Sequence, residues 1–530
     1  MSTHGMDPLG LDSEKPGKET LLDVSGVKTK GKEPAVEKGD ENATQEASKG
    51  QSADVIAADT VPEQEFGIVS DAYEASSSGT AQETAALQRL KLGEAVTGHA
   101  ASRKGGKDMA AYKFWSTQPH LSLEDIPTEP TPLAVAGFGW VTLDVSNDAD
   151  VKDICELMNG HYVEDADETF RFNYGTGILK WYLTCPGWKR QWSAGIRAAQ
   201  SRKLAAFISA VPVQLRVHKN ILNAAEVNFI CVHKKLRSKR LAPVLIKEIT
   251  RLCNREQVWQ AIYTASVVLP KPVSTCRYYH RALNWQKLYE VGFSHLPAGS
   301  KPQYQVHKYA LPSHTSTRGW REMQVKDVGA VHQLLSRFLE RYDIAPVYSR
   351  EEIRHWLMPE MAEGDDQVVR AYVVEDGTGK TTDFISFFSL KSSIIGNPEH
   401  KVLRVAYLFY YASESALTTP PDRSAYKTRL NQLLGDTLIV VKRAKFDVFN
   451  ALSLMDNALF LEQQKFGPGD GLSHYYLFNY RASPMREGID EANQLDEQML
   501  SGVGFVNLQV EPGSRRSWGS FTLAPFDDNI

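Results

Sequence analysis

The stretch Glu226–Ile249, EVNFICVHKKLRSKRLAPVLIKEI, concentrates the residues best suited to chemistry. Val227–Val232 is short and apolar, as a buried strand is. His233–Arg240 follows as a basic loop with Lys234, Lys235, Arg237, Lys239 and Arg240. Pro243 then falls in the first turn of an expected helix, where a missing N–H costs nothing, and Leu245, Ile246 and Ile249 continue at helical spacing. A strand, a cationic loop and a helix start make an anion site, because unpaired N–H groups and the helix dipole add to the loop's charge. A pyrophosphate would fit it. Spacing alone leaves open the plainer reading, a solvated basic turn.

Other side chains are more ambiguous. Cys231 lies within the strand and could be a nucleophile, although a buried cysteine is more often a small apolar residue. The acidic run Glu164–Glu168, after Tyr162 and Val163, could pair with a basic ligand group or simply be solvated. Asp470, between Gly469 and Gly471, suits a turn. No H-x-x-x-H or paired Cys/His spacing is present, so no metal site is expected.

These residues need a scaffold. The chain has 530 residues, 42% hydrophobic and 23% charged, with 60 basic against 64 acidic residues and a net charge of −4. No overall positive field points to nucleic acid or an anionic membrane surface. The five cysteines (Cys155, Cys185, Cys231, Cys253 and Cys276) lack CxxC spacing, which suits a reducing cytoplasmic compartment. No signal pattern and no apolar run of about 18 residues appears. All ten tryptophans lie at or after Trp115, and residues 1–108 have too few apolar groups to offset chain entropy. That segment reads as a disordered arm. Its mixed-charge run Lys28–Lys38 is either solvated chain or a docking arm, with the ribosome as one partner. A folded part of this length calls for two subdomains, divided where Leu311–Arg318 (LPSHTSTR) clusters Pro, Ser and Thr. Alternating strand-like and helix-like runs indicate α+β or α/β layers.

The spacing Arg237-Ser-Lys-Arg240-Leu-Ala242 loosely resembles the pyrophosphate loop of GCN5-related acetyltransferases, with Arg240 in place of a glycine. A longer set of blocks is more specific. EVNFICVHKKLRSKR, Thr264–Asn284, Tyr112–Pro119 (YKFWSTQP), Pro186–Trp192 (PGWKRQW), Asp447–Asn457 and Lys465–Gly471 (KFGPGDG) together resemble the glycylpeptide N-tetradecanoyltransferase, or N-myristoyltransferase, family over about residues 110–508.

The resemblance implies an α+β fold of two acetyltransferase-like (GCN5-related) halves with pseudo-twofold symmetry. Residues 109–311 would bind myristoyl-CoA, 312–508 would shape the peptide groove, and 509–530 would be an atypical extension. The implied reaction moves a tetradecanoyl group from myristoyl-CoA, the co-substrate, to the amine of an N-terminal glycine. A larger first residue would crowd that amine against the thioester. No enzyme nucleophile and no prosthetic group are required. The backbone N–H groups of Phe229 and Ile230 would stabilise the oxyanion, which requires a bulge to free them from a ladder. Asn228 and Thr264 would orient the amine or relay its proton, and the family's terminal carboxylate, at Leu508 here, would take that proton. An α-amine of pKa near 7.7–8.0 is already ~15–25% neutral at pH 7.2, so a weak base suffices.

The same match assigns Lys113, Phe114, Trp115, Phe229, Ile230, Cys231, Val232, Ser238, Arg240, Leu241 and Ala242 to acyl-CoA. It assigns Tyr162, Asp165, Asp167, Phe170, Phe172, Tyr174, Tyr278, His280, Asp470 and Gly471 to the peptide, with Ala166 replacing a commonly acidic residue. The expected partners are glycine-starting peptides and nascent proteins, and the expected state is a monomer without a membrane span. One feature departs from the family: after GVGFVNL, Gln509–Ile530 continues the chain, so Leu508 has no free carboxylate. A misread gene junction, a removable extension, or an inactive acyl-CoA and peptide holder would each account for it. A generic acetyl-CoA-dependent enzyme would explain the basic loop but not the other blocks.

Overall fold

A computed structural model of the chain describes residues 126–163, 169–360 and 367–508. The expected arm at 1–108, Lys113, Phe114, Trp115, Asp165, Asp167 and the extension 509–530 lie outside the described residues. In chain order the strands are β1 (Phe138–Thr142), β2 (Phe170–Asn173), β3 (Ser193–Ala198), β4 (Leu204–Val217), β5 (Asn220–Val232), β6 (Gln260–Ala265), β7 (Ser274–Ala282), β8 (Trp320–Glu322), β9 (Ile344–Pro346), β10 (Val369–Glu375), β11 (Thr381–Ser389), β12 (Lys391–Ile394), β13 (Val402–Leu403), β14 (Val405–Ser413), β15 (Val448–Leu452) and β16 (Gly467–Phe478). The α-helices are α1 (Asp148–His161), α2 (Thr176–Leu183), α3 (Leu241–Arg255), α4 (Trp285–Glu290), α5 (Pro302–Lys308), α6 (Val328–Leu339), α7 (Arg350–Leu357) and α8 (Arg423–Arg443).

One large mixed sheet carries the fold, in the order β1-β3-β4-β5-β6-β16-β7-β15-β14-β11-β10-β8. The order is a palindrome in pairing sense. β1, β3, β4 and β5 run antiparallel and β6 adds parallel to β5; β8, β10, β11 and β14 run antiparallel and β15 adds parallel to β14. The final strand of each half is then exchanged, so that β16 pairs with β6, β7 pairs with β15, and the two exchanged strands pair with each other. This is the pseudo-twofold α+β arrangement expected from the sequence. Parallel neighbours need a long crossover, which α3 and α8 supply.

Local sequence explains the elements. Every residue of β14 is buried, so it reads as one continuous apolar run between two covered faces. On α3, Leu241, Leu245, Ile249 and Cys253 repeat every fourth residue and pack on Trp192, Ile196, Ala206 and Ile208. Burying each such aliphatic side chain contributes about 1.5–3 kcal/mol. Helix α1 starts where Asn147 Oδ1 accepts the Ala149 N–H at 2.8 Å, ahead of Asp148 and Asp150 in the first turn. The segment Leu311–Arg318 connects α5 to β8, and the buried Asp436 of α8 accepts the Ser316 and Thr317 N–H groups, each at 2.8 Å. All five cysteines are buried and unbridged. No helix among the described residues is long and apolar enough to cross a membrane.

Candidate active site

The site forms where β5 and β6 part. Their pairing stops at Glu226↔Ile262. Beyond it β5 pairs with β4 and the end of β6 pairs with β16. On the β5 arm the register with β4 jumps between Phe207↔Cys231 and Ser209↔Asn228, so Phe229 and Ile230 face the single residue Ile208. Phe229 has φ +58°, a left-handed conformation that is a steric outlier for an aromatic residue. Packing holds it there. The ring is buried and meets Tyr182, Tyr174 and Tyr162 edge-on, at centroid distances of 5.1, 5.6 and 6.2 Å. The bulge that the sequence reading required is therefore present at the expected residues.

The loop after β5 behaves as a helix start. Lys234–Lys239 form a short 3-10 turn, and Arg240 takes φ +54° at the cap of α3. Arginine thus adopts the backbone conformation usual for glycine, which explains how it replaces one there. Ser238 and Arg240 are exposed, Val232 and Ala242 are half-buried, and Leu241 is buried. The Arg237 guanidinium donates to the His161 carbonyl at 2.7 Å. His161 and His233 lie with ring centroids 3.8 Å apart. Burial, followed by the charges of His233, Lys234 and Arg237, brings the His161 pKa down to about 4. Both neighbouring imidazoles are disfavoured as cations, first by burial and then by the positive charges of the loop.

A buried polar network spans the fork. Asn228, on the β5 arm, donates through Nδ2 to the Tyr182 hydroxyl at 2.6 Å and to Glu226 Oε1 at 3.2 Å. Asn507 Nδ2 donates to the same Glu226 oxygen at 2.9 Å, and Thr264, on the β6 arm, donates to Asn507 Oδ1 at 3.3 Å. Burial pushes the Glu226 carboxyl up to about 8, against a hydrogen bond from Tyr182. Asn228 Oδ1 is buried with no hydrogen-bond partner among the described residues. Asn228 and Thr264 were expected from sequence, whereas Glu226, Tyr182 and Asn507 were not. Glu226 carried one available signal, an acid two positions before Asn228 and so on the same face of a strand.

The C-terminal segment wedges between the halves. Tyr475 donates to the Phe505 carbonyl, and the Val506 N–H donates to the Tyr410 hydroxyl, both at 3.0 Å. Val503 forms a parallel bridge with Ile344. Asn507 and Leu508 are both buried. A cavity bounded by Tyr278, Tyr407, Asn450, Val506 and Asn507 opens beside the segment.

The aromatics that the family resemblance assigns to the peptide form one cluster with the bulge. Phe172 meets Tyr174 at 6.0 Å, Tyr174 meets Tyr162 at 5.8 Å, and both tyrosines reach Phe229. The Tyr162 hydroxyl lies within hydrogen-bonding reach of the Phe229 backbone, and the Tyr174 hydroxyl is buried with no hydrogen-bond partner among the described residues. β2, with Phe170 and Phe172, pairs with β12 of the other half. Phe293, missed from sequence, links Phe170 (5.8 Å) to His280 (5.5 Å). His280 Nδ1 bonds Asn450 Oδ1 at 2.8 Å, and burial lowers its pKa. The sequence GDG is no simple turn. It lies inside β16, where the register with β7 shifts between Pro468 and Leu472, so that Gly469, Asp470 and Gly471 bulge opposite Tyr278. A Cβ at Gly469 would overlap the His280 ring, so glycine permits that close approach. Asp470 is exposed and close enough to His280 for its charge to act on the imidazole.

Cys231 is buried, and burial pushes its thiol up to about 12. It is therefore a neutral thiol at ordinary pH and a poor nucleophile. No group of three potential metal ligands occurs among the described residues.

Comparison with known proteins agrees with an acyltransferase architecture. Residues 117–276 match the N-terminal domain, and residues 290–506 the C-terminal domain, of Myristoyl-CoA:protein N-myristoyltransferase. The glycylpeptide N-tetradecanoyltransferase of Neurospora crassa is 57% identical over 447 residues, covering 81% of this chain and 78% of that protein. The enzyme of the same name from Emericella nidulans is 50% identical over 441 residues, covering 80% of this chain and 89% of that protein. The crystal structure of Saccharomyces cerevisiae N-myristoyltransferase with bound myristoyl-CoA superposes with a TM-score of 0.73 at 45% identity, covering 76% of this chain and 100% of that one. The chain belongs to the myristoyl-CoA:protein N-myristoyltransferase family.

Proposed function

We propose that this protein transfers a tetradecanoyl group from myristoyl-CoA to the α-amine of an N-terminal glycine, directly and through a backbone oxyanion hole. The observation that carries the reading is the bulge at Phe229 and Ile230, set between the cationic start of α3 and the buried Asn228. The first half, with the basic loop, holds acyl-CoA. The second half supplies much of the peptide surface, with Tyr278, His280 and the GDG bulge at their junction. The glycine nitrogen attacks the thioester carbon, and the carbonyl oxygen gains charge that the Phe229 and Ile230 N–H groups stabilise. A preorganised donor contributes about 3 kcal/mol in such sites. The C–S bond then breaks, and the CoA thiolate takes up a proton as the amide forms. Asn228 Oδ1, an acceptor with no partner among the described residues, suits an incoming amine. The remaining acyl-CoA and peptide residues keep the roles implied by family likeness. The protein works as a cytoplasmic monomer on nascent chains, with the mixed-charge run Lys28–Lys38 of the arm available for ribosome docking.

A second reading rests on one covalent fact. Gln509 follows Leu508, so the Leu508 carbonyl is an amide rather than a carboxylate. A chain lacking that base would bind acyl-CoA and peptide without turnover. Labelled myristoyl-CoA with matched octapeptides starting in glycine or alanine separates the possibilities. Transfer to the glycine peptide alone supports the enzyme. Binding without transfer supports the holder, and a preference for acetyl-CoA overturns both.

A further inference from the structure

Glu226 stands at the apex of the fork, on the last residue pair that β5 and β6 share. Its Oε1 is a common acceptor for two carboxamides, Asn228 from the β5 arm and Asn507 from the C-terminal wedge. Tyr182 of α2 closes the group by accepting from Asn228 and bonding to Glu226. A carboxamide has a donor end and an acceptor end, and an anchored donor end fixes where the acceptor points. With Asn507 Nδ2 on Glu226, Asn507 Oδ1 receives the Thr264 hydroxyl on the opposite arm. With Asn228 Nδ2 on Glu226 and Tyr182, Asn228 Oδ1 is left as a buried acceptor without a partner among the described residues. Such an atom is costly unless something arrives to donate to it. An amine is a donor of that kind.

We propose that Glu226 is a positioning residue for acyl transfer, acting through Asn228 and Asn507 to turn their acceptor oxygens toward the amine and toward Thr264. The inference rests on the acyl-transfer reading. It adds a reason for a buried carboxyl that touches no cation: among the described residues Glu226 takes part in no ion pair, and its titratable neighbours are Tyr182, Cys185, Tyr348, Tyr410 and Tyr475. All of these acids are held in the neutral form by burial. A hydrophobic residue would fill the same space more cheaply if packing were the only task.

The test uses the full chain with Glu226→Leu, Glu226→Gln, Asn228→Ala and the double variant Glu226→Leu/Asn228→Ala. Steady-state transfer to a glycine octapeptide is read alongside myristoyl-CoA affinity. Misplacing a reacting partner by about 1 Å costs on the order of 100-fold, so Glu226→Leu is expected to lower kcat about 100-fold while acyl-CoA affinity stays within ~3-fold. Glu226→Gln keeps an acceptor oxygen and is expected to recover most of the loss. The double variant is expected to be slower than Asn228→Ala by much less than Glu226→Leu slows the wild type, because the share of the effect carried by Asn228 is already gone and only the Asn507 arm remains to be lost. A merely structural role would instead give multiplied losses or equal damage to acyl-CoA affinity, and either result overturns the proposal. So does full kcat in Glu226→Leu. A wild-type chain that transfers nothing to the glycine peptide sinks the acyl-transfer reading itself, and this inference with it. Wild-type transfer with an unaffected Glu226→Leu sinks the inference alone.

Discussion

Ile208 occupies on β4 the place that Ser386 occupies on β11: each is the single residue facing a two-residue bulge in the next strand. In the second half Phe409 and Tyr410 form that bulge. There Ser386 fills it, donating to the Tyr410 carbonyl at 2.8 Å and accepting the Tyr410 N–H at 3.1 Å. An alkyl side chain at 208 cannot do either. The pseudosymmetric halves therefore carry one satisfied bulge and one whose N–H groups receive no hydroxyl from across the ladder.

That difference yields a matched-pair prediction. Ile208→Val and Ile208→Thr remove similar volume and differ by one hydroxyl. The threonine is expected to accept the Ile230 N–H, as Ser386 accepts that of Tyr410. Losing one oxyanion donor costs on the order of 100-fold, so Ile208→Thr should be about 10–100-fold slower than Ile208→Val in single-turnover transfer. Equal rates would show that the bulge does not serve the oxyanion.

Stability should fall as pH rises through Glu226. Its folded pKa, about 8, lies above the ordinary 4.5, so the folded state retains a proton that the unfolded state loses. Between those values rising pH favours unfolding, and above about 8 the effect levels off. The span of about 3.5 units corresponds to an upper bound of roughly 5 kcal/mol. Glu226→Gln is expected to flatten this part of the curve and to raise the melting temperature most near pH 8. Parallel pH profiles of thermal unfolding for the two proteins would refute this.

Cys231 should never carry the acyl group. With its thiol pushed up to about 12 by burial, it holds almost no thiolate at pH 7–8. Intact-mass measurement after mixing with myristoyl-CoA alone is expected to find no acyl adduct on the protein. Iodoacetamide should modify the native thiol far more slowly than after unfolding. A trapped thioester at Cys231 would replace direct transfer with a two-step route.

Much of this was readable in the residues because it is local. The apolar run 227–232 marked the strand end, and the basic loop followed by Pro243 marked the helix start. The strand itself runs further back, to Asn220, because its outer end, Asn220–Asn223, mixes Asn with Ile and Leu and lies mostly exposed, so it lacks a continuous apolar signature. The exchange of β7 and β16 depends on partners some 200 residues apart, such as Ser473 opposite Cys276, and no local pattern encodes it. Asn507 escaped notice for a related reason. Its contacts with Glu226 and Thr264 cross 281 and 243 residues, and a lone asparagine near a chain's end looks like a loop residue. Asp470 had turn chemistry on both sides, yet the same glycines serve a strand bulge against His280.

Gly502 ties the wedge to its seat. Its carbonyl accepts the Asp343 N–H at 2.7 Å and the Ile344 N–H at 3.1 Å, and a Cβ there would overlap the Asp343 carboxylate. Gly502→Ala is expected to displace the segment carrying Asn507, lowering kcat about 10–100-fold with little change in acyl-CoA affinity. Asp343→Ala in the same chain removes most of the obstruction and should restore part of the rate. If the double variant is as slow as Gly502→Ala, the collision with Asp343 is not the cause.

The sharpest prediction concerns Leu508. It is buried at the end of the wedge, next to the residue that reaches Glu226 and Thr264. In this chain its carbonyl is bonded to Gln509 and carries no charge. A chain terminated at Leu508 would place a carboxylate there, with residues 501–508 themselves unaltered in sequence. General-base assistance contributes typically 10²–10⁴-fold, and a partly neutral amine reduces the need for it. The terminated chain is therefore expected to exceed the full-length one by about 10–100-fold in kcat at pH 7, with the gap narrowing toward pH 9 as the free amine loses its own proton. A pH series on both chains, each checked by intact mass, decides the matter. Equal rates throughout would mean that proton removal does not depend on a carboxylate at Leu508, and would move attention to the buried carboxyl of Glu226.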